Sequence, residues 1–147
     1  MLSSEEISFE AAFPERVKNG SSVTVVGKMK SESWFVLNLV CRSCEEIALH
    51  CSFRLDQLTV VRNHYSDGWG DEERSGGWPI RKSGEFEITV EIEEDYFKIF
   101  IDGELFACFR HRMPYSKITH VNGSVEAAFT LIKFEKKEKR CLYQTKP

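Results

Sequence analysis

The sequence has little that favours helices, membranes or polyanionic partners. No apolar run approaches the roughly 20 residues that a membrane helix needs, and no 12-residue window carries apolar residues at helical spacing. The net charge of −3 over 147 residues predicts neither nucleic-acid binding nor attraction to an anionic membrane. These absences favour one soluble, non-helical globular domain that is long enough to bury a sizeable core.

The cysteines are odd in number, five, and irregularly spaced, which argues against a disulfide framework. The pattern predicts reduced thiols, as is usual in the cytosol. Cys41 and Cys44 form a single CxxC, but a structural zinc site needs four ligands and no second pair stands at a suitable spacing. We therefore expect thiols in a turn between strands, no metal and no cofactor. The N-terminus carries no secretory signal pattern, which predicts a cytoplasmic protein.

What the sequence does contain is a series of short β-branched and aromatic runs, separated by turn residues. From Phe86 to Ile92, apolar residues alternate with Glu and Thr, which puts one face on a core and the other in water. Regularly spaced strands of this kind predict an all-β sandwich or barrel. The runs lie at 23–26, 34–40, 47–53, 58–61, 86–92, 96–101, 105–109 and 125–134.

Four Asn-Gly or Asp-Gly pairs, which begin at Asn19, Asp67, Asp102 and Asn122, predict turns. The pair at Asp102 is the strongest hairpin signal, because a type I′ turn needs positive φ at both central residues. Asn19 and Asn122 also begin glycosylation acceptor patterns. We interpret both as turns, since no secretory route is indicated.

In the segment 47–74, the first strand-like run, 47–54, has a polar face that carries more hydrogen-bonding groups than a face that only meets water requires. Alternation puts His50, Ser52 and Arg54 on one face with Ala48, and puts Ile47, Leu49, Cys51 and Phe53 on the other. Asn63 would join the polar face if its strand pairs alongside. Further along lie Trp69, Glu72 and Arg74. Charged hydrogen-bonding groups beside an aromatic plane suit an amphipathic sugar, although a surface ion-pair ladder and a core tryptophan are ordinary alternatives for the single residues.

The same segment resembles the carbohydrate-recognition signature of the galectins, H-x-N-x-R, V-x-N and W-G-x-E-x-R. The flanks VTVVGK (23–28), FVLNL (35–39), the long run 86–112 and ITHVNGSV (118–125) also resemble the family's strands and turns. The likeness covers about residues 9–134. In this sequence the signature stands as His50-x-Ser52-x-Arg54, Val61-x-Asn63 and Trp69-Gly70-x-Glu72-x-Arg74.

The resemblance implies a jelly-roll β-sandwich of two antiparallel sheets, of the galectin and concanavalin type. It divides the chain into an N-terminal segment (1–8), a carbohydrate-recognition domain (9–135) and a basic C-terminal tail (136–147). It implies a metal-independent lectin, not an enzyme, that binds β-galactoside glycans and is also exported by a non-standard route. A homodimer would crosslink glycans through two sites.

The resemblance also implies roles for the seven candidate residues. His50 and Arg54 would bond the axial O4 of galactose, and Asn63 and Glu72 would take O6. Trp69 would stack on the apolar face of the sugar. Arg74 would hold Glu72 and contact the neighbouring sugar.

Two departures from the signature bear on affinity. Ser52 stands where the family has Asn, and Phe53 replaces the usual Pro. Because serine is shorter, it reaches O4 only through water, so we predict weaker or altered disaccharide preference and a gain on Ser52→Asn. In the short loop after Arg54, Asp56 or Gln57 could face the second sugar.

Two other functions remain open at the level of sequence. A galectin-like interaction protein with weak or lost galactoside binding is the alternative that Ser52 supports. A glycosidase would use Glu72 and Glu73, but adjacent strand residues point to opposite faces and cannot flank one bond at the roughly 5–9.5 Å that hydrolysis uses.

Overall fold

The computed structural model describes residues 6–30 and 34–137, which form two five-stranded antiparallel sheets. The first sheet has the strand order β1-β9-β3-β4-β5 and the second has the order β10-β2-β6-β7-β8. Two short 3₁₀ turns, Leu55–Gln57 and Tyr115–Lys117, are the helical elements of the described chain. The strands are β1 Ile7–Ala12, β2 Ser21–Met29, β3 Trp34–Cys41, β4 Glu46–Arg54, β5 Thr59–Tyr65, β6 Glu85–Ile92, β7 Tyr96–Ile101, β8 Glu104–Arg110, β9 His120–Ser124 and β10 Ala127–Lys136.

The two sheets pack through a core that period-2 alternation creates. In β6, Phe86, Ile88, Val90 and Ile92 are each at most 1% exposed, while the residues between them face outward. Phe35 of the first sheet stacks on Phe86 of the second, with ring centroids 4.7 Å apart. The prediction of an all-β jelly-roll sandwich is confirmed.

One of the predicted turns is confirmed in detail and another is wrong. Asp102 and Gly103 have φ values of 51° and 85° and join β7 to β8 as a two-residue hairpin. Asn122 and Gly123, in contrast, lie inside β9, a strand that the list of runs did not include. A Cβ at Gly123 would approach the Phe129 ring to 2.5 Å, so this glycine serves close packing instead of a turn.

The predicted alternation of β4 fails at its start. The pairing of β4 shifts register between Ile47 and His50 on the β5 side. As a result Ala48 belongs to the core cluster together with Leu49, whereas Ile47 lies outside it. A bulge places two successive residues against one partner, and this explains why Ala48 is not on the polar face.

The expectation that all cysteines are reduced thiols is wrong for one pair. Cys41 and Cys44 form a disulfide that closes the turn between β3 and β4. Cys51 is free and buried, and Cys108 is free and exposed. A count of cysteines cannot exclude a pair three residues apart, because such a pair closes a local turn and needs no wider framework.

The ends of the fold are set by β1 and β10. Lys137 follows the last strand and donates its backbone N–H to the carbonyl of Gly20 at 2.8 Å. Most of the predicted basic tail, residues 138–147, lies outside the described residues. Within the described parts of the chain, no helix is long and apolar enough to cross a bilayer, and no group of three His, Cys, Asp or Glu residues is placed to hold a metal ion.

Candidate carbohydrate-binding site

Strand β4 places three predicted site residues on the outer face of the first sheet, the face turned away from the core. His50 and Arg54 are half-buried, whereas Ser52 is only 1% exposed. Strand β5 pairs alongside, and its Asn63 lies opposite His50 in the register. The structure thus brings these four residues together on one surface.

A row of polar side chains crosses the first sheet from β1 to β5. Asn122 Nδ2 donates to Glu10 Oε2 at 3.3 Å, and Asn38 Nδ2 donates to Asn122 Oδ1 at 3.0 Å. Asn38 Oδ1 lies 2.7 Å from His50 Nδ1. We call this set the polar row. Each member is the cross-strand neighbour of the next: Glu10, Asn122, Asn38, His50 and Asn63.

The His50 ring is neutral at physiological pH. The pKa of His50 is lowered to about 4, chiefly because the ring is buried; the positive charge of Arg54 adds to the lowering, and the carboxylate of Glu72 opposes it. An amide oxygen can only accept, so Nδ1 carries the proton and donates to Asn38. The lone pair of Nε2 therefore remains to accept a hydrogen bond from a hydroxyl group.

Arg54 is held in place before any ligand arrives. Its guanidinium carbon lies 4.0 Å from the ring centroid of Trp34, and its Nε donates to Ser52 Oγ at 3.1 Å. Trp34 Nε1 in turn donates to Asp56 Oδ1 at 2.6 Å. A stacked guanidinium loses less conformational freedom when it binds a ligand. Ser52 therefore supports the arginine from an almost fully buried position.

Asn63 is only 3% exposed, and most of its hydrogen-bonding capacity is used within the protein. Its Oδ1 accepts from the His64 backbone N–H at 2.8 Å and from Arg112 Nη1 at 3.0 Å. Its Nδ2 donates to the Gly70 carbonyl at 2.9 Å. One amide N–H is left over, because an amide nitrogen carries two.

Trp69 provides the exposed aromatic surface beside these polar groups. It is 49% exposed, and its ring centroid lies 4.6 Å from that of His50 and 5.2 Å from that of Tyr65. The preceding turn uses positive φ at Asp67 and Gly68, as the Asp-Gly pair predicted. The tryptophan is therefore not part of the sandwich core.

Glu72 and Arg74 form the ion pair that the resemblance implied. Arg74 Nη2 lies 2.8 Å from Glu72 Oε1, and Arg74 Nε donates to the same oxygen at 2.9 Å. Arg74 Nη1 also donates to Gln57 Oε1 at 3.1 Å, so this loop residue orients the arginine. Both charges are substantially exposed and stand open to solvent and ligand.

The adjacent acid, Glu73, has a different environment. Its Oε2 pairs with Arg112 Nη2 at 3.1 Å, whereas Glu72 pairs with Arg74. The two carboxylates are thus held by different arginines.

Two cations anchor the loop that carries Trp69 and Glu72, and sequence reasoning assigned neither a role. Arg62 is 2% exposed and donates to the backbone carbonyls of Val60 and Ser75 at 2.9 and 2.7 Å. Arg112, which follows β8 of the second sheet, reaches both Asn63 and Glu73. For Arg62 the usable signal was a cation within an apolar strand run, because charges are rarely buried without partners.

A jelly-roll sandwich with a polar outer face beside an exposed tryptophan is the architecture of a β-sandwich lectin. The family model described as galactoside-binding lectin matches residues 8–134. The chain belongs to this family, the galectins.

Individual relatives agree with this assignment. The chain is 34% identical over 122 residues to a 32 kDa beta-galactoside-binding lectin of Haemonchus contortus, which covers 79% of this chain but 43% of the relative. A lectin of the same description from Caenorhabditis elegans is 32% identical with the same coverage, so the chain spans less than half the length of these two relatives. Human galectin-7 is 31% identical over 126 residues, 82% of this chain and 93% of that protein.

Solved structures show the same fold. The crystal structure of C. elegans galectin LEC-6 superposes with a TM-score of 0.79 at 22% identity, covering 90% of this chain and 91% of that one. Sheep galectin-11, solved in complex with glycerol, gives a TM-score of 0.78 at 15% identity and covers 90% of this chain and 100% of that one.

Proposed function

We propose that this protein binds β-galactoside glycans on the outer face of the first sheet, without catalysis. The observation that carries the proposal is that His50 and Arg54 share the polar face of β4, with the half-exposed ring of Trp69 against His50. An acceptor at His50 Nε2 and donors at Arg54 suit one hydroxyl that projects from a ring, while Trp69 suits the apolar face of that ring. The axial O4 of galactose meets this requirement.

The other candidate residues complete the proposed contacts. The remaining N–H of Asn63 and the exposed carboxylate of Glu72 would bond O6, and Arg74 would reach the neighbouring sugar. A site that hydrogen-bonds a particular hydroxyl rejects an analogue in which it is missing or misplaced, because its polar groups are then left unpaired. We therefore propose selection for galactose over glucose.

The experiment that tests this function is retention on lactose-agarose with elution by a competing sugar. The protein is expected to bind the column and to elute with lactose but not with the same concentration of cellobiose, in which glucose replaces galactose. An array of glycans then ranks the disaccharides. Passage through the column unretained, together with a blank array, would contradict the proposal.

A galectin-like interaction protein with weak or lost galactoside binding is the second candidate. The observation that favours it is the 1% exposure of Ser52, whose Oγ is already engaged by Arg54. In this case the sheet face is intact but lacks one direct sugar contact. The blank array described above is the outcome that this candidate predicts.

The role of Ser52 can be tested by lengthening it. Ser52→Asn is expected to tighten lactose binding by about threefold to tenfold, which is the value of one added hydrogen bond. The amide oxygen can replace Oγ as acceptor for Arg54, and its NH₂ group adds a donor beside it. Calorimetry measures the change, and Ser52→Ala is the matched control that should weaken binding. No gain, or a loss, with Ser52→Asn would refute this role.

The location of the protein and its oligomeric state are also proposals. We propose that the protein acts in the cytoplasm and, after non-standard export, on glycans outside the cell, where a homodimer would crosslink them. Fractionation of cells and medium, with sedimentation of the purified protein, tests both points.

A further inference from the structure

Between Glu10 on β1 and His50 on β4, the hydrogen bonds of the polar row run in one fixed direction. We infer that Glu10 determines which nitrogen of His50 carries the proton, acting through the two asparagines between them. Glu10 is thus a positioning residue that makes His50 Nε2 a hydrogen-bond acceptor for the ligand. Only its effect on sugar affinity rests on the proposed function, since the protonation of the ring is a property of the free protein.

The direction follows from the hydrogen-bonding capacity of each group. A carboxylate can only accept, so the amide of Asn122 must turn its NH₂ group toward Glu10. Its Oδ1 then faces β3 and accepts from Asn38 Nδ2. The oxygen of Asn38 is left to face His50 Nδ1, which must donate.

The opposite direction is unfavourable at every step. If the Asn38 amide turned over, its oxygen would face the oxygen of Asn122, and two acceptors would meet. If Asn122 turned as well, its oxygen would face the carboxylate of Glu10. A buried or half-buried acceptor that faces another acceptor loses its hydrogen bond and regains none from water, so it is strongly disfavoured. The row therefore changes direction as a unit or not at all.

An ion pair with Arg42 holds Glu10, the β1 end of the polar row. Arg42 Nη1 pairs with Glu10 Oε1 at 2.7 Å, and the Glu10 side chain is 21% exposed. The other oxygen, Oε2, accepts from Asn122. Because the two oxygens have separate partners, the ion pair holds the Glu10 side chain in place without occupying the atom that the row uses.

The test is the ¹⁵N NMR spectrum of the imidazole of His50 in the free protein. In the wild type, Nδ1 is expected to give a pyrrole-like signal and Nε2 a pyridine-like one. Glu10→Ala removes the acceptor and should produce a mixture of the two tautomers. Glu10→Gln keeps an oxygen that can accept and should restore the wild-type spectrum. Glu15→Ala, which removes an exposed acid paired with Lys136, is the matched control and should change nothing.

Titration with methyl β-galactoside supplies the second measurement. Glu10→Ala is expected to weaken binding by about threefold to tenfold, the value of one impaired hydrogen bond, while Glu10→Gln and Glu15→Ala stay near the wild type. A merely structural role for Glu10 would lower the melting temperature and leave the tautomer unchanged, which would overturn the inference. An Nε2-protonated ring in the wild type would overturn it too. If the spectra behave as expected but no variant binds the sugar, the proposed function fails and the inference stands.

Discussion

Arg54→Ala is expected to weaken lactose binding by about 30-fold or more, since removing a charged, hydrogen-bonded partner from a partly desolvated site costs roughly 2–5 kcal/mol. The guanidinium is stacked on Trp34 and supported by Ser52, so it is oriented before the sugar binds. Its loss removes donors to the proposed axial hydroxyl and leaves the neighbouring polar groups less constrained. Arg54→Lys should lose most of the affinity as well, because a single ammonium cannot reproduce the planar fork. Calorimetry with lactose measures both variants.

The matched control is Arg110→Ala, which removes an exposed arginine from β8 of the other sheet. It should bind lactose as the wild type does, and all three variants should have circular dichroism spectra and melting curves of a folded sandwich. Binding by Arg54→Ala within threefold of the wild type would remove Arg54 from the proposed site.

Phe35→Ala is expected to lower the free energy of unfolding by about 3–5 kcal/mol, the usual cost of a buried phenylalanine. Phe35 is 0% exposed and lies between the rings of Phe53 and Phe86, with centroids 4.5 and 4.7 Å away. Phe53 belongs to the first sheet and Phe86 to the second, so the cavity would open at the contact between the two. Such a loss is a large fraction of the stability of a domain of this size.

Urea unfolding followed by tryptophan fluorescence measures this change. Leu131→Ala is the control, because Leu131 is 51% exposed on β10 and its truncation should cost no more than about 0.5 kcal/mol. A loss below about 1 kcal/mol for Phe35→Ala would show that the stacked rings do not hold the sheets together.

The fold was predictable because alternation and turn chemistry act locally. The run 96–101 coincides with β7, and Asp102-Gly103 has the φ values that its turn type requires. Strand β9 was not predictable in this way, because Asn122 and Gly123 favour turns when considered alone. Their conformation depends on rings from β1 and β10 that close over the glycine, and these contacts are distant in sequence.

The candidate site was predictable only in part, for a related reason. Spacing placed His50, Ser52 and Arg54 on one face, but it could not show that Ser52 is buried or that Asn38 contacts the imidazole. Asn38 stands within an apolar run, and a polar residue there needs a partner across the sheet. Strand order, which the sequence does not state, supplies that partner.

Arg112 follows β8 of the second sheet and contacts the loop after β5 of the first sheet. This contact bears on the order in which the chain folds. The residue lies 49 positions after Asn63, and its guanidinium contacts Asn63, His64 and Glu73. The loop that carries Trp69 can therefore make these contacts only after the two sheets have met, since a contact between distant parts of the chain requires the segment between them to close first. Competence to bind sugar would then report that the sandwich has closed, and a sugar column would separate fully folded chains from those that stopped earlier.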